Sequence, residues 1–409
     1  MFLSDSYGDI YHMKVTLFSN YLNHHQLPFC LKMDELTNHQ FTFVASTDVS
    51  DWRRNLGYQD MNKTYPFVLT TYDSEENYWK AMELCQTSDV VILGACPDIY
   101  LKERVKLKKL TFRYTERLHK LGPVSLFTPL SFKYRFQKLI GYEKAPTYIL
   151  CAGSYVPYDL SNLGCYRNKT YQWGYFPELR HYEQTVIFQK KDENKVPELL
   201  WVARLIPWKH PEAALHVASY LKEKGYSFHL NLIGTGELED QLKKELVQKD
   251  LADYVTLVGS VPSTQVRDYM ECADIFFFTS DRNEGWGAVL NEAMNSCCAC
   301  IASHEIGAAG SMIKHGKNGL LYQSGNEAEL CKQTEYLLEN KQIRKELGWI
   351  GYRTITEEWN ADDGAKRLLE LSESLIKGTS VSFTSGPCSK APVISPAQLY
   401  QSSHTKNHD

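Results

Sequence analysis

The 409-residue chain has no apolar run of about eighteen residues, so no segment reads as a transmembrane helix, and it shows no cleaved-leader pattern. It lacks a dominant charge: 45 Lys and Arg stand against 49 Asp and Glu, and a net of -4 gives no basis for bulk nucleic-acid binding. Its eleven cysteines are an odd number without paired spacing, which points to reduced thiols packed in a core and to a reducing, cytoplasmic compartment. No complete G-x-G-x-x-G fingerprint occurs, which counts against a dinucleotide dehydrogenase, and no metal-ligand spacing is visible. What remains is an ordinary globular balance, 43% hydrophobic and 23% charged, at a length that favours two or more domains. Met13 is a second candidate start, because Lys14 to Ser19 (KVTLFS) reads as the first strand.

The richest stretch is Glu-Gly-Trp-Gly-Ala-Val-Leu-Asn-Glu, which places Glu284 and Glu292 eight positions apart across a predicted loop-to-helix junction. Asp274 to Ser280 (DIFFFTS) reads as a buried strand, Gly285 and Gly287 free the following backbone to turn tightly, and a helix is expected from Gly287 to Ser296. In an open α/β sheet, ligands bind beyond the carboxyl ends of strands, where free helix amides suit phosphate. Two carboxylates around such an anion site suit a ligand that carries hydroxyls beside its phosphates, such as a nucleotide sugar.

About eighty residues upstream, Leu199 to Pro211 (LLWVARLIPWKHP) places Arg204 and Lys209 just after another apolar strand. Pro211 suits the first turn of a helix whose apolar face is Ala214, Val217, Ala218 and Leu221, ending at Gly225. A third strand ends in Leu232 to Glu237 (LIGTGE), with Gly234 and Gly236. Taken singly, the glutamates and cations read as solvated surface charges and Gly-Thr-Gly as a turn. Three successive strand ends with phosphate-compatible chemistry read as one site.

These residues, Arg204 with Lys209, the Gly234/Gly236 loop and the glutamate pair, resemble the patterns of retaining glycosyltransferases of family 4, of the bacterial surface-polysaccharide type, over roughly Pro197 to Gly378. The resemblance implies an α/β protein of GT-B architecture: two Rossmann-like doubly wound domains facing across a cleft, with a C-terminal helix crossing back to the first. It further implies that Arg204 and Lys209 hold the donor diphosphate, that Glu284 faces the donor sugar and that Glu292 binds the ribose. Gly234, Gly236, Gly285, Trp286 and Gly287 complete the donor contacts. Fixed cations and helix amides stabilise a leaving diphosphate more in the transition state than in the ground state, so no metal cofactor is expected. Transfer would proceed with retention of configuration, by front-face attack.

The first half matches more loosely. Lys14 to Ser19, Phe41 to Ala45, Val90 to Leu93 and Leu110 to Tyr114 read as strands of a second doubly wound unit. Where many family members carry a glycine-rich loop, this chain has Asn20, Asn23, His24 and His25, and where they often carry a histidine it runs Phe112 to Arg117 (FRYTER). Asn20, His24, His25, Glu116 and Arg117 are weak candidates for donor or acceptor contacts; a helix cap or surface role fits the histidines equally well. From Lys102 to Lys120, Lys102, Arg104, Lys106, Lys108, Lys109, Arg113, Arg117 and Lys120 stand against Glu103 and Glu116, and Ser131 to Lys144 interleaves aromatic and basic residues. Lys102 to Lys144 is thus a candidate contact with an anionic membrane surface, with a solvated helix as the alternative. The membrane reading implies a lipid-linked saccharide acceptor and a peripheral position on the inner face of the plasma membrane.

Composition places the domain boundaries at 1–190 and 191–358, with Tyr171 to Pro177 and Lys190 to Pro197 as the connection, and the resemblance implies that the first domain binds the acceptor and the second the nucleotide sugar. An amphipathic crossover helix follows at 359–378, capped by Asn360 or Asp362, with Ala365, Leu368, Leu369, Leu375 and Ile376 on one face. The Ser-, Thr- and Pro-rich stretch 379–409 reads as a disordered tail. Two other functions stay open: a non-catalytic nucleotide-sugar-binding subunit or sensor, and a similarly built sugar-nucleotide epimerase or phosphorylase.

Overall fold

The computed structural model describes residues 10–49, 60–118 and 141–405. They form two compact units: 10–49, 60–118, 141–152, 156–178 and 359–393 fall in the first, and 153–155, 179–358 and 394–405 in the second. The chain leaves the first unit at 178/179, earlier than the expected 190/191, and re-enters it at 358/359.

The first unit carries seven parallel strands: β1 (Val15–Ser19), β2 (Phe41–Ala45), β3 (Val68–Thr70), β4 (Val90–Leu93), β5 (Thr111–Thr115), β6 (Thr147–Ala152) and β7 (Thr170–Trp173). Their order is β3-β2-β1-β4-β5-β6-β7. β1 and β4 are buried at every position, as central parallel strands covered on both faces require. The second unit repeats the plan with six: β8 (Glu198–Val202), β9 (His229–Ile233), β10 (Val255–Gly259), β11 (Ile275–Phe278), β12 (Ala299–Ser303) and β13 (Leu320–Tyr322), in the order β10-β9-β8-β11-β12-β13. In each sheet the order reverses beside its first strand, so the crevice of the second unit opens between the carboxyl ends of β8 and β11. The four residues of β11 are at most 2% exposed, and each buried Phe contributes about 2 to 3 kcal/mol, which makes the strand a rigid base for the loop after it.

The helix Pro211–Glu223 forms as its pattern predicts: Pro211 opens it, Ala214, Val217, Ala218 and Leu221 are all fully buried, and Gly225 follows in the left-handed region. The helix Ala361–Lys377 is capped by the Asn360 side chain, which accepts from the Asp363 amide at 2.8 Å. It packs within the first unit on Leu27–Leu36; Ala365, Leu368 and Leu369 of the expected face are buried, but Ile376 is 52% exposed, and Leu371 and Ser372 are buried instead.

Three expectations need correction. Tyr171 to Pro177 is not a connection: Tyr171 and Trp173 are buried in β7, which pairs with β6. Lys190 to Pro197 is not one either, because the helix Gln184–Asp192 packs Ile187 and Phe188 with Cys297 and Tyr352, and Lys191 is buried with its ammonium donating to the Met270 carbonyl at 3.1 Å. Arg104 does not belong to a basic surface. It is fully buried, donating to the carbonyls of Cys85, Ser88, Asp89 and Leu110 and to Thr111 Oγ1, whereas Lys102, Lys106 and Lys108 are exposed. Residues 131–140 of the second basic segment lie outside the described residues.

The tail is also more ordered than its composition suggests. Cys388 and Ser389 are buried, and the tail exchanges backbone bonds with the sheet edge at β7, Gln172 N to Ser389 O and Cys388 N to Gln172 O, both 2.8 Å. Lys390 then lies over the Tyr171 ring, 4.1 Å from its centroid. An exposed edge offers unpaired donors and acceptors, and the tail satisfies them. Residues 396–405 form a further helix within the second unit. All eleven cysteines are free thiols, nine of them buried. Among the described residues, no helix is long and apolar enough to cross a membrane.

Candidate functional site

The crevice of the second unit is built from three loops, following β8, β9 and β11. The first two are fastened together by backbone bonds, Ala203 N to Ile233 O at 3.1 Å and Leu205 N to Thr235 O at 3.0 Å. Gly234 has φ +140°, and a Cβ there would strike the Ala203 carbonyl; a Cβ on Gly236 would strike that of Leu205. The two glycines are therefore required by the packing of loop on loop, which holds Arg204 between them at the strand end. Arg204 is exposed, and its guanidinium has no ion pair among the described residues.

Lys209 lies at the end of a short 3-10 turn, Pro207–Lys209, and the β11 loop grips that turn. Asp281 N donates to Trp208 O at 3.1 Å, and Thr279 Oγ1 donates to Lys209 O at 2.6 Å while accepting from Trp201 Nε1 at 2.8 Å. Lys209 Nζ pairs with Glu284 Oε2, with both side chains only 12% exposed. Ser280 Oγ donates to the same carboxylate oxygen at 3.1 Å, and the Trp208 ring centroid lies 4.4 Å from the ammonium. His210, which links this turn to the helix Pro211–Glu223, stands 2.9 Å from Glu212 and 3.4 Å from Asp281; the Glu212 bond raises its pKa above the ordinary histidine value, with Asp281 adding to it.

Beyond Glu284 the chain is equally constrained. Gly287 has φ +93°, and a Cβ there would enter the Phe278 ring. The Gly285 carbonyl sits where a Cβ of Gly307 would be, and Ala308 N donates to Trp286 O at 3.1 Å. Trp286, expected among the donor contacts, is fully buried with its indole N–H donating to Asn291 Oδ1 at 2.9 Å, so its side chain anchors the loop from inside. The helix expected over Gly287 to Ser296 runs Ala288–Asn295 and carries Glu292 just over one turn in. Burial pushes the Glu292 carboxyl up to about 7, against the pull of Arg267 and then Arg180.

The structure thus gathers Arg204, Lys209, Gly234, Gly236, Glu284, Gly285 and Gly287 on the carboxyl ends of β8, β9 and β11 in one unit. The N-terminal candidates lie in the other. Asn20 Oδ1 accepts from the Tyr21 amide at 3.0 Å; the His24 and His25 rings lie tilted against each other with centroids 3.8 Å apart, and burial followed by the His24 charge lowers His25 to about 3. Glu116 accepts from Tyr175 Oη at 2.9 Å, and Arg117 lies 3.4 Å from Asp159, so both are engaged in internal pairs.

Sequence reasoning missed the network behind the helix Ala288–Asn295. Asn295 Oδ1 accepts from the Arg180 amide at 2.9 Å and from Arg267, and its amide nitrogen donates to Arg180 O at 3.1 Å. Glu271 accepts from Arg180, from Tyr182 at 2.7 Å and from Lys190 at 2.7 Å. It also missed Gly307, for which Ile-Gly-Ala-Ala-Gly two residues beyond a buried strand was an available signal.

Comparison with known proteins gives this site its context. Residues 183–354 match the sequence model of the glycosyl transferases group 1 family. The chain is 30% identical over 182 residues to the amylovoran biosynthesis glycosyltransferase AmsK of Erwinia amylovora, covering 43% of this chain and 44% of that protein. It is 23% identical over 180 residues to a GDP-mannose-dependent phosphatidylinositol monomannoside mannosyltransferase of Mycobacterium tuberculosis, covering 42% and 46%. The chain therefore spans less than half the length of these relatives. The crystal structure of Anabaena HepE with UDP and glucose superposes with a TM-score of 0.64 at 14% identity, covering 89% of this chain and 100% of that one. The galactosyltransferase WaaB of the lipopolysaccharide outer core does so with 0.63 at 15%, covering 90% and 99%. These likenesses show the α/β fold of two Rossmann-like units, the GT-B class.

Proposed function

We propose that this protein is a glycosyltransferase that moves a sugar from a nucleoside-diphosphate sugar to a saccharide acceptor. The observation that carries the reading is the Lys209–Glu284 pair at the switch point of the second sheet, flanked by exposed Arg204. In this reading the incoming diphosphate takes Lys209 from Glu284. The ammonium and Arg204 then face the charge that builds on the leaving group, and the released carboxylate faces the donor sugar. Glu292, on the helix that follows, accepts from the ribose hydroxyls. Fixed cations suit metal-free departure of the diphosphate, since removing one such donor typically raises a barrier by about 3 kcal/mol. The reaction we propose retains anomeric configuration.

The acceptor we propose is a lipid-linked saccharide at an anionic membrane surface, approached through exposed Lys102, Lys106 and Lys108. Support comes from the basic and aromatic composition of this region and from the printed activities of the relatives, amylovoran biosynthesis and mannosylation of a phosphatidylinositol mannoside. A thermal-shift panel of nucleotide sugars, followed by mass analysis of products with lipid-linked acceptors, tests the reading. Stabilisation by one donor and a product heavier by one sugar are expected. Stabilisation without product from any acceptor would favour a binding subunit.

A further inference from the structure

We propose that the C-terminal helix Pro396–Thr405 is a reversible latch on the second unit, whose docking and nucleotide occupancy favour each other. This rests on the reading of the Glu284–Gly287 loop as a donor site.

The helix is held by few groups and buries none of its residues fully. Glu329, on the helix Glu327–Glu339, accepts from Tyr400 Oη at 3.0 Å and stands 3.1 Å from His404 Nε2. The His404 ring lies between those of Tyr400 and His315, each 4.2 Å away by centroid. On its other side Tyr400 meets His304, 5.3 Å away. Leu399 closes on Gly310, where an added Cβ would come within 2.8 Å of Leu399 Cδ2. A polar, shallowly docked segment of this kind belongs to the low-stability end of a structure, where opening costs little.

What it rests on leads directly to the donor loop. Gly310 belongs to the short helix Gly307–Met312, whose first residue packs on the Gly285 carbonyl and whose Ala308 amide holds Trp286 O. Ser154 ties the same helix from a third side, through Gly307 O at 3.1 Å and Ser311 Oγ at 2.8 Å. Gly285 immediately follows Glu284. The tail, the short helix and the donor loop are thus consecutive members of one packed series, with no cavity-forming side chain at Gly285, Gly307 or Gly310 to absorb a displacement. Any nucleotide that orders the loop reduces the freedom of the short helix and of the segment on it, and by linkage the docked segment raises nucleotide affinity by the same factor.

Hydrogen exchange of residues 394–405 in the full chain, with and without saturating uridine or guanosine diphosphate, tests this. The double variant Tyr400→Phe, His404→Ala is the perturbation, and Ser402→Ala on the exposed face is the control. Binding of either nucleotide should slow exchange of the tail about fivefold, and the double variant should bind that nucleotide about fivefold more weakly with its main unfolding transition unmoved. Tail exchange that ignores a nucleotide the wild type does bind, or a double variant that binds as tightly as the control, would overturn the latch and leave the donor site standing. If the wild type binds neither nucleotide, the donor-site reading falls and the latch with it.

Discussion

Lys209 and Glu284 form a partly buried ion pair across the carboxyl ends of two neighbouring strands, β8 and β11, and each neutralises the other. A diphosphate competing for the lysine must break that pair. Replacing Glu284 by Gln should therefore tighten binding of the free nucleoside diphosphate while lowering turnover of the sugar donor. Glu292→Ala should weaken free nucleoside diphosphate and intact donor alike, because its proposed contact is to ribose. Calorimetry with both ligands separates the two glutamates; equal loss of nucleoside-diphosphate affinity in both variants would contradict their assignment.

Charge stabilisation by fixed cations predicts that Lys209→Ala and Arg204→Ala each lower kcat by about 10²- to 10³-fold. Chelator should leave the wild type nearly unchanged. Activity that vanishes with chelator and returns with magnesium or manganese would mean that a metal does this work.

Gly287 combines positive φ with a Phe278 ring in the place of its missing Cβ. Gly287→Ala should cost about 2 to 3 kcal/mol in urea unfolding. Phe278→Leu in the same background should recover the steric part only, since the backbone strain remains.

Burial alone would raise the Glu271 carboxyl, yet its bonds with Lys190, Tyr182 and Arg180 bring it down to about 2 from 4.5. A folded pKa below the unfolded one gives stability that is fully present above about pH 5 and is lost as pH falls toward 2. Glu271→Gln should therefore be less stable than wild type at neutral pH, by about 1 to 3 kcal/mol, and the two should converge in that acid window. Parallel curves down to pH 2 would show that the carboxylate is not held by these partners.

If Lys102, Lys106 and Lys108 meet a bilayer, the protein should sediment with anionic vesicles in preference to neutral ones, and the preference should fade between about 0.1 and 1 M salt as the Debye length shrinks from about 10 to 3 Å. Charge reversal at the three lysines should weaken sedimentation and spare nucleotide affinity. Indifference to lipid charge would favour a soluble acceptor.

The second unit was legible because its signals are local. The run Ile275–Phe278 is a strand by composition, Pro211 and the face from Ala214 to Leu221 specify a helix, and cations and glycines directly after strands fall on strand ends wherever the sheet places them. Strand order was not legible, and it is strand order that brings Lys209 to Glu284 across 75 residues. Polar pairs at long range leave no periodicity, so the Glu271 and Asn295 networks had no signature. Arg104 looked like its exposed neighbours because a basic run does not reveal which member turns inward to four carbonyls. Val68–Thr70 is too short to show alternation, and the tail hid its order because backbone pairing with a sheet edge asks nothing of side-chain hydrophobicity.

The most direct measurement is release of nucleoside diphosphate from a panel of nucleotide sugars in the presence of lipid-linked saccharide, comparing wild type with Lys209→Ala. The wild type should release diphosphate from one donor, coupled to addition of one sugar to the acceptor, and the variant should lose about 10²-fold or more with donor still bound. Wild-type protein that binds the donor but releases no diphosphate, or a variant that turns over at the wild-type rate, would contradict it.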